Sequence, residues 1–415
     1  MEEALSGSSA DVRHPSIARK IVLGELRKMT LGRLRLVFPD GTQETIGTTP
    51  DVDATIIVKS DQFFKKCLWY GDIGFGESYV DGDWETDSVT HVIKWFILNI
   101  DQSPSLSGSR RFFRASNLLK IINRFRHKSR PNSVRKVRRN ISEHYDLSNA
   151  FFQTFLDRTM TYSSAYFKDQ QMSLETAQIA KYDRLCRVAH LEPSDHVLEI
   201  GTGWGGFAEH AARNYGCKIT TITISQEQFQ YAKERIAAAG LSDLVTVRLQ
   251  DYRHVQGRFD KIVSIEMLEA VGHRYFRTFF QKCHDVLTKG GVLALQVIVC
   301  PDSRYDELRR GVDWIQKHIF PGSLLPSVAT INRSINATGD LTLFDMKNLG
   351  LHYARTLSQW REEFNRNRDQ VKSLGFGDSF VRKWNYYLSY CEAAFSMRNI
   401  NVMQMVFARP NTMRL

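Results

Sequence analysis

A run of glycines that directly follows a short apolar stretch is the feature that most constrains the fold of this chain. His196–Ile200 is an apolar run of strand length, Gly201-Thr-Gly-Trp-Gly-Gly206 follows it, and a helical pattern continues to Asn214. Glycines at the start of a helix let the backbone approach a ligand and leave the first N–H groups facing it. The segment predicts the first strand–loop–helix unit of a ligand-binding α/β sheet.

Strand and helix patterns alternate in the part of the chain around this segment. Further strands are predicted at Lys218–Ile224, Leu244–Leu249, Lys261–Ile265 and Val292–Val299. Helices are predicted at Gln226–Ala239 and Tyr275–Leu287. Such alternation predicts an α/β fold with a doubly wound, mostly parallel sheet. Val402–Ala408 is predicted as a late strand of the same sheet, added antiparallel at its edge.

The chain has 415 residues, which is too long for one small core. The predicted segments are a mobile N-terminus at 1–30, a small α+β domain at 31–105, a basic amphipathic linker at 106–140 and the larger α/β domain at 141–415. The sequence contains no apolar run of transmembrane length, no secretory signal pattern and no CxxC pair among its six cysteines. We therefore expect no membrane span, no metal site and a cytoplasmic location.

Positive charge is concentrated in one segment. Arg110–Arg139 carries twelve Lys and Arg and no Asp or Glu, in a chain whose net charge is +11. Phe112, Leu118 and Phe125 are among the apolar residues interleaved at helical spacing, as in helices that lie on a membrane surface. The segment predicts either contact with an anionic membrane or a basic linker docked on its own protein. Nucleic acid is not expected as a partner, because no nucleic-acid-binding motif is present.

The glycine run fits the G-x-G-x-x-G loop of dinucleotide-binding enzymes and the G-x-G-x-G loop of S-adenosylmethionine (AdoMet) methyltransferases equally well. Glu199 precedes the loop, where methyltransferases commonly hold an acid, and Gln250-Asp-Tyr-Arg253 follows the third strand, where they hold adenine. The second strand ends in Thr223-Ile-Ser-Gln-Glu-Gln228, without the acid that NAD sites use. These features favour an AdoMet methyltransferase over an NAD enzyme or a purely structural turn.

Eight stretches of the chain match motifs of one enzyme family in unbroken order. They are Glu143-His-Tyr-Asp-Leu-Ser-Asn149, Met160-Thr-Tyr-Ser-Ser-Ala-Tyr166, Leu198-Glu-Ile-Gly-Thr-Gly-Trp-Gly-Gly206, Thr223-Ile-Ser-Gln-Glu-Gln228, Gln250-Asp-Tyr-Arg253, Ile265-Glu-Met-Leu-Glu-Ala-Val-Gly272, Ile319-Phe-Pro-Gly-Ser-Leu-Leu-Pro-Ser327 and His352-Tyr-Ala-Arg-Thr-Leu-Ser-Gln-Trp360. With these motifs the chain resembles the cyclopropane-fatty-acyl-phospholipid synthase family of class I AdoMet-dependent methyltransferases.

The resemblance implies an enzyme that transfers the methyl carbon of AdoMet to a cis double bond of an unsaturated phospholipid acyl chain. A carbocation forms and then loses a proton, which closes a cyclopropane ring. The domain at 31–105 would lie on the lipid side of the enzyme. The candidate AdoMet-binding residues are Tyr162, Ser163, Glu199, Gly201, Gly203, Trp204, Gly205, Thr223, Ser225, Gln228, Asp251, Tyr252 and Arg253.

Members of the family commonly bind a bicarbonate ion as the base, through a cysteine, a glutamate, a histidine, a tyrosine and a backbone group. The corresponding positions in this chain hold Ser164, Glu269, Gln296, Tyr353 and Ile298. Two of the five therefore depart from the family pattern, at the cysteine and at the histidine. An amide side chain never carries a positive charge, so the hold on an anion should be weaker.

Glu266 is a further departure, because many members have a small residue three places before the catalytic glutamate Glu269. Two neighbouring carboxylates in an apolar site raise each other's proton affinity, which suits a general base. Our hypothesis is that Glu266 replaces the bicarbonate wholly or partly. The alternative is that Glu266 is a surface residue at the end of a strand.

Other outcomes remain open at this point. The same cation, losing a different proton, gives a methylene- or methyl-branched acyl chain instead of a ring. The remaining alternatives are a lipid-surface protein whose methyltransferase domain is inactive and an NAD oxidoreductase. The expected partner is a phospholipid bilayer with anionic headgroups, contacted peripherally from its cytoplasmic side through Arg110–Arg139. A homodimer would strengthen that contact.

Overall fold

The structure is a computed structural model that describes residues 16–101 and 147–411. The predicted basic linker, the Arg110–Arg139 segment and the first four residues of the motif that begins at Glu143 lie outside the described residues. Within the described residues, no helix is long and apolar enough to cross a membrane.

Residues 16–101 form a four-stranded sheet packed against three helices. Their elements are α1 (Ile17–Leu26), β1 (Arg33–Val37), β2 (Gln43–Ile46), β3 (Asp53–Val58), α2 (Gln62–Val80), β4 (Trp84–Glu85) and α3 (Val89–Leu98). The strand order is β2-β1-β3-β4, with β1 and β3 parallel and both outer pairs antiparallel. Alternate residues point into the core, as in β1, where Leu34 and Leu36 are fully buried.

Helix α1 lies in the segment at residues 1–30 that was predicted to be mobile, so the described part of that segment contains a helix. The described part of that segment begins at Ser16, whose hydroxyl accepts a hydrogen bond from the Arg19 backbone N–H at 3.2 Å and caps the helix. Val22, Leu23 and Leu26 share one face and are buried. A helix of ten residues is marginal alone, so packing against the rest of the domain stabilises it.

The second part, residues 147–411, is a seven-stranded sheet with helices on both faces. Its first elements are α4 (Asn149–Phe152), α5 (Leu174–Val188), β5 (His196–Ile200), α6 (Gly206–Tyr215), β6 (Lys218–Thr223), α7 (Gln226–Ala238), β7 (Val245–Leu249), β8 (Phe259–Ile265), α8 (Phe276–Val286) and β9 (Leu287–Val299). The remaining elements are α9 (Asp302–Leu308), α10 (Trp314–His318), α11 (Val328–Asn336), β10 (Thr342–Asn348), α12 (Gly350–Arg366), α13 (Arg368–Ser373), α14 (Asp378–Ser396) and β11 (Asn401–Ala408).

The strand order of this sheet is β10-β11-β9-β8-β5-β6-β7. The five strands β5 to β9 pair in parallel, and β11 runs antiparallel to β9. This confirms the doubly wound, mostly parallel sheet and the antiparallel direction of Val402–Ala408. The predicted edge position of that strand is wrong, because β10 pairs antiparallel with its outer side. The residues of β10 are mostly exposed, and Leu343, Phe344 and Met346 are mixed with polar residues without the continuous apolar run by which the other strands were recognised.

One apolar core runs through the small sheet domain and the C-terminal helices. Helix α14 packs against both α2 and α3, and a Cβ at Gly76 of α2 would lie only 2.5 Å from the Trp314 side chain. Arg382 of α14 also donates hydrogen bonds to the carbonyls of Tyr79 at 2.7 Å and Trp84 at 3.0 Å. These contacts hold the small domain against one side of the large sheet.

Candidate active site

A cavity of about 570 Å³ opens at the carboxyl ends of β5, β6, β8 and β9. Parallel α/β sheets bind their ligands at this end of the strands, where the loops leave the sheet. The cavity is lined by the glycine loop after β5, by the segments after β6, β7 and β8, and by residues of the small domain. Most of the candidate residues predicted from the sequence meet here.

The glycine loop has a backbone that other residues adopt only with strain. Gly201, Gly203 and Gly205 have φ angles of +104°, +51° and +84°, in the region that glycine occupies without penalty. A Cβ at Gly201 would lie 3.3 Å from the Met267 side chain, whereas the space in front of Gly203 is open. The loop is therefore a cradle in which a ligand can approach the backbone.

Glu199, at the end of β5, lines the cavity with a carboxylate oxygen that has no hydrogen-bond partner. The residue is only 2% exposed, and burial raises its pKa to about 8, although Thr221 and Lys181 act in the opposite direction. A buried carboxylate of this kind is suited to a cationic partner. AdoMet carries an ammonium and a sulfonium, so the residues present fit this cofactor.

The segments after β6 and β7 supply the other polar groups of this half of the cavity. The Thr223 hydroxyl donates to the Gln228 amide oxygen at 2.9 Å, and Arg253 donates to both carboxylate oxygens of Asp251 at 2.9 and 2.6 Å. Burial raises the pKa of Asp251, but hydrogen bonds from Arg253 outweigh it and hold the pKa below its usual value. Asp251 therefore stays ionised beside Tyr252, which also lines the cavity.

Two predicted AdoMet-binding residues do not line the cavity. Gly205 starts α6, where a Cβ would lie 3.2 Å from the Cβ of Ala232, so its role is close packing of helices. The Ser225 hydroxyl caps α7 by accepting from the Gln228 N–H at 3.3 Å. Of the remaining candidates, Tyr162, Ser163 and Trp204 line the same cavity.

Glu266 is at the centre of the catalytic half of the cavity. Its Oε1 accepts hydrogen bonds from the Gln296 amide at 2.7 Å and from the Ser164 backbone N–H at 2.8 Å. The Tyr353 hydroxyl also interacts with this carboxylate and lowers its pKa. Burial raises the pKa of Glu266, and these groups together with the charge of Lys181 oppose the rise. The structure thus places Glu266 in the cavity wall and not on the surface.

Ser164 and Gln296, expected to hold a bicarbonate ion, do not line the cavity. The Gln296 amide donates to Glu266 and to the Ser164 carbonyl at 3.1 Å, and its oxygen accepts from Gln404 at 2.9 Å. The Ser164 hydroxyl donates to the Ala165 carbonyl at 3.1 Å. Both residues are almost wholly buried behind Glu266, so their polar groups hold its carboxylate.

The backbone of Glu266 is itself unusual. Its φ is +48°, a left-handed conformation that costs energy for a residue with a long side chain and is often found at functional sites. The Glu266 N–H donates to the Gln296 carbonyl at 2.7 Å, which extends the pairing of β8 with β9. The strained backbone thus lies at the point where β8 ends at the cavity.

Glu269 lies three residues after Glu266, one short turn further along the chain. Its side chain is 8% exposed. One of its oxygens accepts from the Ile298 backbone N–H at 2.5 Å, and the other is buried without a partner. Burial and the charge of Glu266 raise the pKa of Glu269 to about 8. At neutral pH, with neither substrate bound, Glu269 is therefore largely protonated.

The sequence analysis missed two residues that support this site. Lys181 on α5 is wholly buried, and its ammonium donates to the Ser163 hydroxyl at 2.7 Å. Burial lowers the pKa of Lys181 to about 7, although the charges of Glu266 and Glu199 favour its ammonium form. Gln404 on β11 lies directly opposite Gln296 on β9. In both cases the signal was a polar residue on an otherwise apolar face of its element.

Aromatic side chains form the wall next to the carboxylates. Tyr162 stacks on Trp360 with ring centroids 5.2 Å apart, and its hydroxyl is 2.8 Å from that of Tyr387. Tyr353 packs on Phe395 at 4.6 Å. Aromatic faces stabilise a positive charge in a dry cavity by about 1–2 kcal/mol each. In the described parts of the chain, no group of three or more His, Cys, Asp or Glu residues could hold a metal ion.

Comparison with known proteins gives consistent similarities. The family model for mycolic acid cyclopropane synthetase matches residues 132–405. The chain is 40% identical to the tuberculostearic acid methyltransferase of Mycobacterium tuberculosis, over 91% of this chain and 88% of that protein. It is 37% identical to the cyclopropane-fatty-acyl-phospholipid synthase of Escherichia coli, over 86% of this chain and 88% of that protein.

Solved structures of cyclopropane synthases are also similar to this chain. The cyclopropane synthase MmaA2 from Mycobacterium tuberculosis is 30% identical, with a TM-score of 0.61, over 66% of this chain and 98% of that chain. The mycolic acid cyclopropane synthase CmaA1, solved with SAH and CTAB, gives the same values. These similarities confirm the predicted class I methyltransferase fold.

The buried carboxylate of Glu199 predicts a pH-dependent stability. Because its pKa is raised from 4.5 to about 8, the ligand-free protein loses stability as the pH rises between these values. Replacing Glu199→Gln removes this contribution. We expect the variant to lose less thermal stability than the wild type between about pH 5 and pH 8. Thermal unfolding at a series of pH values measures this.

Glu209→Gln is the matched control, because burial raises the pKa of Glu209 but Arg235 and Arg213 lower it below its usual value. This variant should not reduce the loss of stability at high pH. Calorimetry should also show weaker AdoMet binding for Glu199→Gln than for Glu209→Gln. Parallel pH profiles for the wild type and Glu199→Gln would contradict the assignment.

Proposed function

This chain belongs to the mycolic acid cyclopropane synthetase family of AdoMet-dependent methyltransferases, and from that premise we propose that it forms cyclopropane rings on unsaturated phospholipid acyl chains. The methyl carbon of AdoMet is added to a cis double bond, and a proton is then removed. One observation carries the proposal: the glycine loop and Glu199 line the same cavity as the carboxylates of Glu266 and Glu269.

AdoMet supplies an electrophilic methyl carbon when it is bound. The glycine loop, Glu199, Thr223, Gln228 and the segment at Asp251 would hold it. An isolated alkene is a weak nucleophile, so the chain must hold the double bond close to that carbon and exclude water. The alkene carbon that is not attacked becomes cationic, next to the rings of Tyr162 and Tyr353.

The ring closes when the added carbon loses a proton to a base. We assign this role to Glu266, in the place where the family uses bicarbonate. The Ser164 N–H and the Gln296 amide donate hydrogen bonds to the Glu266 carboxylate, and the Tyr353 hydroxyl also lowers its pKa. Glu269 lacks such donors on one oxygen and is largely protonated at neutral pH. Glu266 is therefore the carboxylate of the pair that is better able to accept the proton.

A second product class is supported by one relative. The protein that is 40% identical to this chain is named a tuberculostearic acid methyltransferase. The carboxylate of a side chain is held in one position, whereas a bound ion can shift. A side-chain base therefore removes a proton from only one side of the substrate. Loss of a proton from a chain carbon leaves a methyl branch beside a double bond, and a 1,2-hydride shift followed by loss of a proton from the added carbon gives a methylene branch. The position of the Glu266 carboxylate would then decide between the products.

The direct test is incubation with labelled AdoMet and vesicles of unsaturated phospholipid, followed by mass spectrometry of the released fatty acids. We expect label in the acyl chain, as a cyclopropane ring. Label in a methylene or methyl branch would show that the product is not a cyclopropane ring, while the protein would still be a methyltransferase that acts on acyl chains. AdoMet binding by calorimetry without any transfer would instead indicate an inactive methyltransferase domain.

Removing the proposed base gives a second prediction. We expect Glu266→Gln to lower kcat by about 10²–10⁴-fold, the usual contribution of a general base, with little change in AdoMet affinity. Depleting and restoring bicarbonate should leave wild-type activity unchanged. Rates of product formation with and without bicarbonate measure both effects.

Glu227→Gln on the exposed start of α7 is the control and should keep full activity. Unchanged activity in Glu266→Gln would defeat the assignment. Bicarbonate-dependent activity of the wild type would show that the ion, and not Glu266, accepts the proton.

The acyl chain reaches the enzyme from a bilayer, and we propose that the basic segment Arg110–Arg139 attracts anionic headgroups. Each Lys or Arg near such a surface contributes about 1 kcal/mol. Replacing Arg135, Lys136, Arg138 and Arg139 by Gln should therefore weaken binding to anionic vesicles by at least about tenfold. Vesicle sedimentation at low and high salt measures this. A homodimer would strengthen the contact further.

The control is a variant that also loses four positive charges, but at exposed positions of the large domain. Its replacements are Lys218→Gln, Lys233→Gln, Arg248→Gln and Lys289→Gln. We expect this control to bind anionic vesicles more tightly than the variant of the basic segment. Equal binding of the two variants, or equal binding of the wild type to neutral and anionic vesicles, would contradict the proposal.

A further inference from the structure

The cavity continues beyond the carboxylates into the small N-terminal domain. From Glu269 and Tyr353 its wall passes Tyr387 and Phe395 and reaches the three helices of that domain. There the wall consists of Val22 and Leu26 of α1, Phe63 and Phe75 of α2, and Ile93 and Phe96 of α3. None of the motifs that hold AdoMet or the proton-accepting groups extends to this half of the cavity.

The chemistry of this half differs from that of the glycine-loop half. Asp72 is the one charged side chain among the lining residues that the described residues 16–101 contribute. It follows Gly71, where α2 is broken by a backbone with φ +59°, and both residues line the cavity. A polar, charged cofactor does not suit such walls, whereas an acyl chain has only apolar surface to bury.

The walls of this half are held in position by the large domain. The Thr90 hydroxyl of α3 donates to the Glu392 carboxylate of α14 at 3.1 Å. On α2, Glu77 pairs with Lys317 at 2.5 Å and with His318 at 2.9 Å. These contacts fix the positions of α2 and α3. The wall that they form therefore limits how many carbons of an acyl chain fit in this half of the cavity.

We propose that the N-terminal domain forms the second half of the acyl-chain channel and selects the position of the double bond that reacts. The carbons on one side of the double bond lie between α1, α2 and α3, while the double bond itself lies at Glu266 and Glu269. The number of carbons that this half accepts then decides which double bond reaches the carboxylates. The inference rests on the proposed function and deepens it.

Filling this half of the cavity should change positional selectivity and not merely activity. We would compare Val22→Phe and Ile93→Phe with the wild type on vesicles of petroselinoyl, oleoyl and cis-vaccenoyl phospholipid, whose chains have equal length but differently placed double bonds. A pocket that loses room for one methylene discriminates by about 10- to 200-fold. We expect the ratio of petroselinoyl to vaccenoyl turnover to change by at least about tenfold. The direction of the change shows which end of the chain the domain holds.

Two further variants make the experiment decisive. Ile56→Phe adds the same bulk to the buried core of the small domain away from the cavity wall, and it should leave the ratio unchanged even if it lowers stability. Phe96→Ala enlarges the cavity and should move the ratio in the direction opposite to that of Val22→Phe. Thermal unfolding confirms that each variant is folded.

An equal loss of turnover on all three substrates in the cavity variants would overturn the inference. A wild-type enzyme that binds AdoMet but modifies none of the three phospholipids would defeat the proposed function instead. The two failures are therefore distinguishable in one set of assays.

Discussion

The burial of two carboxylates side by side is the constraint on which the rest of the structure depends. Burying a charge costs several kcal/mol unless hydrogen bonds or opposite charges compensate. Here the Ser164 N–H and the Gln296 amide donate to Glu266, Tyr353 and Lys181 lower its pKa, and the Lys181 Nζ donates to the Ser163 hydroxyl. Glu269 receives only the Ile298 N–H and one oxygen remains unpaired. Burial raises the pKa of both acids, but hydrogen bonds and the charge of Lys181 oppose the rise at Glu266, whereas Glu269 is largely protonated at neutral pH.

The sheet order makes this arrangement possible. Gln296 on β9 lies opposite Gln404 on β11, and the amide of Gln404 fixes the oxygen of Gln296 so that its nitrogen faces Glu266. Arg184 in turn holds Gln404 at 2.7 Å and Asp345 of β10 at 2.6 Å. A chain of hydrogen bonds therefore runs from the edge strand to the cavity. Such networks are effective only when every member has a partner, and the amide groups of Gln296 and Gln404 both have partners in this chain of hydrogen bonds.

The two halves of the cavity are suited to two different ligands. The glycine loop, Glu199 and Asp251 present polar groups on one side, and the helices of the small domain present Phe63, Phe75 and Phe96 on the other. A polar cofactor and an apolar chain can then meet at the carboxylates with little water present. Because the walls come from both parts of the chain, the shared apolar core between α14, α2 and α3 keeps the two halves of the cavity together.

The sequence by itself determined the parallel sheet and the glycine loop, because strand–loop–helix patterns and glycines with positive φ are local properties. The resemblance to the family pointed to Glu269, whereas Glu266 was a hypothesis that left a surface position open. The sequence did not reveal α1, whose short helix depends on tertiary packing, or β10, whose mostly exposed residues lack a continuous apolar run. Only the tertiary structure decided that Ser164 and Gln296 hold Glu266. Hydrogen bonds between residues more than a hundred positions apart, as from the Ser164 N–H to Glu266, arise from strand register and helix packing. For the same reason, only the folded chain joins the apolar helices of the small domain to the cavity.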